Sequence, residues 1–299
     1  MSLALVTVSH DSEAELRALL DSVTRHLPGA HVVVADSGSA DGSLDLARGW
    51  EGKATAVDLG GNVGYGRAVN AGLRAVEEPV TVVLNPDVEL LDGSLAELPA
   101  ELERAGASER LLAPLVLSAD GSRQDSVQHE PGTPPLMLSA LVPGGALPPW
   151  VRRTMEPWRS DTPRRVGWAV GCCVAGRTET LRRLGPFDEE IFLYAEDLDL
   201  GLRAADAGVE TWFWPAARVL HHGAHSTSRA FGGEPFELLA RRRREVVAAR
   251  RGARRARLDD LQQLVTFADR LALKTLLRRP AERERAQLAA LRRARRVGH

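Results

Sequence analysis

Aromatic residues make up only 5% of this 299-residue chain, which holds two cysteines, two tyrosines and three methionines. The two cysteines are neighbours, Cys172 and Cys173, so they cannot staple distant segments, and no disulfide framework is expected. In a strand their side chains would point to opposite faces, which makes them poor joint metal ligands. They read as small core residues in a reducing, cytosolic setting. No apolar run approaches the ~20 residues of a membrane-crossing helix, and Met1-Ser2-Leu3-Ala4-Leu5 lacks the basic stretch of a secretion signal. HExxH and CxxC spacings are missing too, so a hydrolytic zinc centre built on His221, His222 and His225 has no support. What is present is ordinary for a soluble globular chain: 44% hydrophobic and 26% charged residues, enough for one large core and a small appendage.

The net charge of −1 conceals two opposed regions. From Arg241 onward there are 19 Lys and Arg against 6 Asp and Glu, whereas the preceding residues carry 20 against 34. A basic tail on an acidic body predicts an anionic surface as partner, a membrane or a nucleic acid. Arginines 241–244, 250, 251, 254, 255 and 257 flank an apolar stripe of Leu258, Leu261, Leu264, Val265, Ala268, Leu271 and Ala272. That is the pattern of a basic amphipathic helix on anionic headgroups, each surface cation adding about 1 kcal/mol. A helix packed on the body is the plainer alternative. No nucleic acid is expected, because the arginine runs carry few aromatics to stack on bases. The expected division is a body over residues 1–234 and a basic helical extension over 235–299.

Within the body, apolar runs alternate with helical spacing. Leu3–Val8, His31–Ala35, Ala54–Asp58 and Val80–Leu84 read as strands. Ser12 is positioned to cap a helix bearing Leu16, Leu19, Leu20 and Val23, and further helices are predicted over Ser43–Trp50 and Arg67–Val76. The class is α/β, with a mostly parallel sheet covered by helices on both faces. Prolines 131, 134, 135, 143, 148 and 149 loosen the pattern between Ser118 and Asp161, predicting a long loop with one or two short helices beside the site. Order returns with a strand over Val166–Val174, a helix over Glu179–Leu184 stopped at Gly185-Pro186, and a helix over Asp197–Ala207 ended by Gly208. Two strands follow, Val209–Trp214 and Arg218–Leu220.

Carboxylates cluster where these strands end, and in an open α/β sheet ligands bind there. Asp36 ends the second strand and opens a Gly- and Ser-rich turn; with Ser9, which ends the first, it is a candidate for holding a nucleobase, against an Asx-turn or helix-cap alternative. Asp87 closes Asn85-Pro86-Asp87. Mg²⁺ or Mn²⁺ grips a diphosphate through one or two carboxylates, phosphate oxygens and water, so Asp87 can suffice, assisted by the Asn85 amide. The plain account is a Pro-Asp turn. Glu196 and Asp197 follow Ile191–Ala195 at a helix start, where acidic residues also occur for the dipole alone. Within reach of a sugar hydroxyl they would act as base. His221 and His222 end a strand, and alternation lets only one face the cleft. The turn Gly60–Gly66, with Asn62 and Gly64, can hold a phosphate or sugar hydroxyl at a helix N-terminus. As a dinucleotide fingerprint it fails, because Val69 stands where the last glycine belongs.

Taken together, Val33-Val34-Ala35-Asp36-Ser37-Gly38-Ser39-Ala40-Asp41-Gly42-Ser43 resembles the donor-binding turn of glycosyltransferase family 2. Leu84-Asn85-Pro86-Asp87 resembles its metal-site segment, with Asn85 where many members carry the first acid of a D-x-D. Gly185 to Glu189 and Phe192 to Leu200 are similar to its acceptor-side motif. The resemblance runs from about Leu3 to Ser228. Gly64-Tyr65-Gly66, Ala68-Val69-Asn70, Val166-Gly167-Trp168 and Val219-Leu220-His221-His222 with Ala224-His225-Ser226-Thr227 are similar to the actinobacterial rhamnosyltransferase branch, which acts on N-acetylglucosaminyl-diphosphodecaprenol. The resemblance implies a GT-A fold and inverting transfer from dTDP-L-rhamnose to a polyprenyl-diphosphate-linked sugar in cell-wall assembly. By it, Ser9, Asp36, Asn62, Gly64, Asn70 and Asn85 would line the donor site. Asp87 and His221 would hold Mg²⁺ or Mn²⁺, and Asp197, beside Glu196, would deprotonate the acceptor. The expected location is the inner face of the cell membrane, peripheral and cytoplasmic. Competing expectations are a UDP- or GDP-sugar donor, a non-catalytic carbohydrate- or membrane-binding protein on the same scaffold, and a Rossmann dehydrogenase.

Overall fold

The computed structural model describes residues 2–141, 147–185, 187–223 and 235–296. Its first half repeats a strand–helix unit: β1 (Leu3–Ser9), α1 (Glu13–His26), β2 (His31–Asp36), α2 (Ser43–Gly49), β3 (Ala54–Asp58), α3 (Tyr65–Arg74) and β4 (Val80–Leu84). Every residue of β1, β2 and β4 is buried, as a strand sandwiched between two helical layers requires. Alternate side chains feed the two layers. Leu3 and Leu5 pack with Leu16, Leu19, Leu20 and Val23 of α1 on one face; Ala4, Val6 and Val8 pack with Ala68, Val69 and Leu73 of α3 on the other. Full burial of one such side chain stabilises the fold by about 1.5–3 kcal/mol.

The second half continues through β5 (Val88–Leu90), α4 (Leu98–Arg104), β6 (Arg110–Leu117), β7 (Val127–Gln128), α5 (Pro134–Leu141) and α6 (Pro149–Met155). Then come β8 (Arg164–Val166), β9 (Trp168–Ala169), β10 (Cys173–Arg177), α7 (Thr178–Leu184), α8 (Glu196–Asp206) and β11 (Glu210–His221). The main sheet runs β3-β2-β1-β4-β10-β6-β11-β5, with β8 also on β11. Strand β10 is antiparallel to both β4 and β6. β6 therefore points with β1 to β4, and β11 lies parallel to it, which makes the sheet mostly parallel. Cys172 and Cys173 are buried free thiols; burial pushes Cys172 up to about 12 and Cys173 upward as well, so both stay protonated.

Three local expectations are corrected. Ser12 stands at the N-cap of α1 without a capping side-chain bond; its Oγ accepts from the His10 N–H instead (3.2 Å). The single strand expected over Val166–Val174 is three pieces, because the Gly167 N–H turns to the Gln128 carbonyl (2.8 Å) and the Gly171 N–H to Asp197 (2.9 Å). The two strands expected from Val209 to Leu220 are one, β11, in which residues 215–217 bulge out between Trp214 and Arg218. Pro215, which has no N–H to give the ladder, sits in that bulge.

Beyond Pro235 lie α9 (Phe236–Leu276), broken at Gly252 (φ 83°), and α10 (Glu282–Arg296). In a straight helix Arg243 and Asp259 would lie about 24 Å apart. Here Arg243 grips Asp259 through two bonds of 2.7 and 2.8 Å, and Arg244 donates to Asp260 at 2.9 Å, so the helix folds back at Gly252. Much of the tail's positive charge is thus spent internally. Arg250 donates to Asp199 and Arg251 to Glu130 and Asp206 of the body. The apolar stripe also divides: Leu264 packs with Leu291 and Ala294, whereas Leu258, Leu261, Leu276 and Leu277 are exposed. No helix among the described residues is long and apolar enough to cross a membrane.

Candidate active site

The cleft lies beyond the carboxyl ends of β1, β2, β4 and β11. At one end, Asp36 is buried beside Ser9, whose hydroxyl donates to Asp36 Oδ2 (2.7 Å). Ser39 adds its backbone N–H to Oδ1 (3.0 Å) and its hydroxyl to Oδ2 (2.5 Å). Asp36 thus braces its own turn through Ser39, and its carboxylate shapes the rim. The loop opposite is tied to it: Val63 N–H donates to Ser37 Oγ (3.1 Å), and Asn62 donates to His10 Nε2 (3.1 Å) while its Oδ1 accepts from Gly64 N–H (3.1 Å). Gly64 has φ 84° and lies against Phe192, where a Cβ would sit 2.8 Å from a carbonyl oxygen, so only glycine fits. Asn70 is turned elsewhere. Its amide donates to the Phe187 carbonyl (2.9 Å) and accepts from the Phe187 N–H (3.2 Å), clamping the turn before α8.

In the middle, Asp87 and His221 meet. Pairing of β5 with β11 sets His221 opposite Val88, which brings His221 Nε2 to 3.3 Å from Asp87 Oδ1. His222, one residue on, points to the other side and donates to Glu89 (2.6 Å). Gln124 orients the ring. Its Nε2 donates to the His221 carbonyl (2.7 Å), which leaves Oε1 to accept from His221 Nδ1 (2.9 Å). With Nδ1 held by Gln124, Nε2 is the nitrogen turned to Asp87, and it is the atom through which this imidazole could bind a metal. Gln124 was missed by sequence reasoning, lying in the proline-rich stretch without a motif. No three His, Cys, Asp or Glu side chains gather as a metal cage among the described residues, and His225 lies outside them. Two ligands suit Mg²⁺ or Mn²⁺ nonetheless: neighbouring ligands at ~2.1 Å from an octahedral ion lie ~3 Å apart, and diphosphate oxygens and water complete the shell. Asn85, half-buried, holds the same turn through its backbone: its N–H donates to the Cys172 carbonyl (3.1 Å).

At the far end Glu196 and Asp197 open α8. The residues before them, Tyr194 (φ 69°) and Ala195 (φ 66°), both adopt the left-handed region, a strained turn of the kind kept where side chains must be aimed. Asp197 Oδ2 accepts from Gly171 N–H (2.9 Å) and Oδ1 from Leu198 N–H (2.7 Å). Burial pushes Asp197 up, opposed by these N–H bonds and by Arg243. Glu196 has a buried Oε2 without a partner; burial, then the Asp197 charge, push it up to about 8. Two adjacent carboxyls share a proton unequally. Glu196 keeps it, and Asp197, with backbone donors and the helix N-terminus, carries the charge.

The two acid groups belong to one site. Tyr65, raised well above its usual range first by burial, feels Glu196, Cys172, Asp197 and Asp87 together, and its hydroxyl donates to Gly171 O (3.4 Å). Cys172 feels Asp87 and Asp197 alike. Asp199, of unassigned role in the sequence, is buried and joins α8 to α9 by accepting from Arg203 (2.6 Å) and Arg250 (2.7 Å). The stretch 118–161 lines a cavity of about 600 Å³ nearby through Asp125, Gln128, Leu136, Ala140, Met155, Glu156 and Trp158.

A mostly parallel sheet with a strand-end carboxylate turn and an acid pair at a helix start is an α/β scaffold with one acidic cleft. Residues 4–110 match the family description "Glycosyl transferase family 2". Over 213 residues the chain is 35% identical to the N-acetylglucosaminyl-diphospho-decaprenol L-rhamnosyltransferase of Mycobacterium tuberculosis, covering 66% of this chain and 68% of that protein. A mannosyltransferase of Pyrobaculum calidifontis, solved with GDP-Man and Mn²⁺, superposes with a TM-score of 0.63 at 16% identity, over 98% of this chain and 85% of that one. GalNAc-T7, solved with UDP, GalNAc and Mn²⁺, gives 0.56 at 18% identity over 74% of this chain; the chain spans 43% of its length. These structural likenesses show the GT-A fold. The chain belongs to glycosyltransferase family 2 and is a glycosyltransferase of the hexosyltransferase type.

Proposed function

We propose that this protein transfers L-rhamnose from dTDP-L-rhamnose to an N-acetylglucosaminyl diphosphate carried on a polyprenyl chain, with inversion at the sugar. Asp87 lies 3.3 Å from His221, and its turn is tied through Asn85 to the Cys172 carbonyl, next to the Gly171 that bonds Asp197 and Tyr65; this gathering carries the reading. The 35% identity to the mycobacterial enzyme supports the choice of donor and acceptor. Ser9, Asp36, Asn62 and Gly64 form the rim on which the nucleotide rests; Asn70 serves it indirectly by holding the Phe187 turn.

Asp87 and His221 are the residues to hold Mg²⁺ or Mn²⁺, with Asn85 beside them. Such an ion, when bound, neutralises the diphosphate so that it leaves as a weaker base. Asp197 takes the proton of the acceptor hydroxyl as that oxygen bonds to the anomeric carbon; the bond from this carbon to the diphosphate breaks, and its electron pair leaves with dTDP. Glu196, protonated, keeps Asp197 from facing a second negative charge. Leu258, Leu261, Leu276 and Leu277 are exposed, with exposed Arg254, Arg257, Arg278 and Arg279 nearby in sequence, a composition suited to an anionic bilayer surface. Residues 1–234 form the catalytic body and 235–299 the membrane-facing extension.

Radiolabelled transfer to N-acetylglucosaminyl diphosphate lipid, run with dTDP-L-rhamnose, UDP-sugars and GDP-sugars in parallel, tests the assignment. Product from dTDP-L-rhamnose, lost with EDTA and restored by Mn²⁺, is the expected result. Turnover of a UDP- or GDP-sugar with none of dTDP-L-rhamnose would replace the donor, and full activity in EDTA would remove the metal.

A further inference from the structure

The chain enters the acid pair through residues 189–195, which form neither helix nor strand. This loop touches both halves of the cleft. On the nucleotide side the Phe192 carbonyl accepts from the Tyr65 N–H (3.3 Å), and Gly64 lies against Phe192. On the other side it delivers Glu196 and Asp197 through Tyr194 and Ala195, both in the left-handed region. A strained connection without a ladder of its own keeps one shape only where its surroundings hold its ends.

One guanidinium holds both ends. Arg250 of α9 donates through Nε to Asp199 Oδ1 (2.7 Å), in the first turn of α8, and through Nη2 to Asp188 Oδ2 (3.4 Å), just before the loop. Asp199 is buried, and its second oxygen accepts from Arg203 (2.6 Å). Charge-assisted bonds to a carboxylate are the strong kind, and burial shields this one from water. Arg250 reaches these partners from 51 and 62 positions away. It stands in the last turn before the break at Gly252, so its placement follows from where the extension folds back. Its neighbour Arg251 also ties α9 to the body, but through Glu130, Asp206 and the Leu202 carbonyl. None of those belongs to the segment 188–199.

We propose that Arg250 is a positioning residue for transfer: by stapling Asp188 to Asp199 it fixes the loop between them and keeps Asp197 aimed into the cleft. The inference rests on Asp197 as the base in the transfer reading above, and it concerns what aims that base rather than which donor is used. Without the staple the two ends of the loop part, and a shift of ~1 Å at a reacting group costs up to ~10²-fold in rate. A lysine at this position keeps the charge but is a point charge in place of a fork, so it serves one carboxylate at a time. The extension thereby has a second task, since α9 completes the catalytic body as well as facing the bilayer.

Full-length wild type, Arg250→Gln, Arg250→Lys and Arg251→Gln are compared in two measurements. Hydrogen exchange over residues 188–199, read by mass spectrometry without substrates, is expected to quicken about fivefold or more in Arg250→Gln and to stay within about twofold of wild type in Arg251→Gln. Initial rates are taken with dTDP-L-rhamnose and N-acetylglucosaminyl diphosphate on a short polyprenyl chain. Arg250→Gln is expected to lower kcat about tenfold with both KM values within about threefold, and Arg251→Gln to keep kcat within about twofold. Arg250→Lys is expected to recover part of the loss. Unchanged exchange in Arg250→Gln, or a kcat within about twofold of wild type, overturns the proposal. An equal fall in kcat in Arg251→Gln overturns it too, because the effect then belongs to the extension as a whole. If Arg250→Gln does not fold, Arg250→Lys decides through both readouts. The exchange measurement uses no donor: a wild type that turns over no dTDP-L-rhamnose faults the donor assignment, and the exchange difference still decides the staple.

Discussion

Glu196→Gln removes a carboxyl that the fold obliges to keep its proton, and the pH dependence of stability should reveal it. In the unfolded chain this group titrates near its ordinary value of 4.5; in the fold it holds on up to about 8. Between those limits the folded state binds more protons than the unfolded, so wild-type stability falls as pH rises. At about 1.36 kcal/mol per unit, the whole shift corresponds to about 5 kcal/mol. Asp197 shares the proton, so we expect about 2 kcal/mol of it to appear in the variant. The glutamine is uncharged at every pH and of the same size. Glu196→Gln should therefore be more stable than wild type by about 2 kcal/mol near pH 8.5 and by less than about 0.5 kcal/mol near pH 5. Urea unfolding followed by tryptophan fluorescence at both pH values measures the gap. A gap that does not change with pH, or a variant less stable at the higher pH, would refute the assignment of the proton to Glu196.

Three further outcomes are expected. Asp197→Asn should lower transfer by about 10²–10⁴ while dTDP affinity, measured by calorimetry, stays within twofold (about 0.4 kcal/mol) of wild type; full turnover would remove Asp197 as the base. Gln124→Leu frees the His221 ring to adopt the other tautomer and should weaken Mn²⁺ binding about 10–100-fold, read by electron spin resonance in the presence of dTDP. Leu276→Glu should cut co-flotation with anionic vesicles by about tenfold or more without changing dTDP affinity, and equal flotation on neutral and anionic vesicles would rule out the electrostatic part of the docking.

Asp87 was legible as a candidate because a carboxylate past a strand end needs only an apolar run and a break to be recognised; Glu196 and Asp197 follow an apolar run too, but residues 191–195 form no strand and the pair opens α8 instead. The choice between His221 and His222 was not legible. Strand alternation said that one must turn away, but the pairing of β5 with β11 decided which, by giving His222 to Glu89. Asn70 is a donor-site candidate by its motif, and no local pattern showed that its amide would bond the Phe187 carbonyl, 117 positions away.

The order of strands and helices in the first half was written in the sequence, since burial on two faces forces near-continuous apolar runs and helices declare their own period. Those signals are local, and so were readable without coordinates. The fate of the tail was not. Arg243 and Asp259, 16 positions apart, share a bidentate pair only because the chain turns back at Gly252. Composition counted those charges as a surface field, whereas tertiary contacts neutralise many of them and leave the leucines between them partly exposed. Gln124 and Trp168 likewise acquire their positions from distant partners, His221 and α8. Contacts between residues far apart in the chain depend on the packing of whole elements, and no local pattern of residue types encodes that.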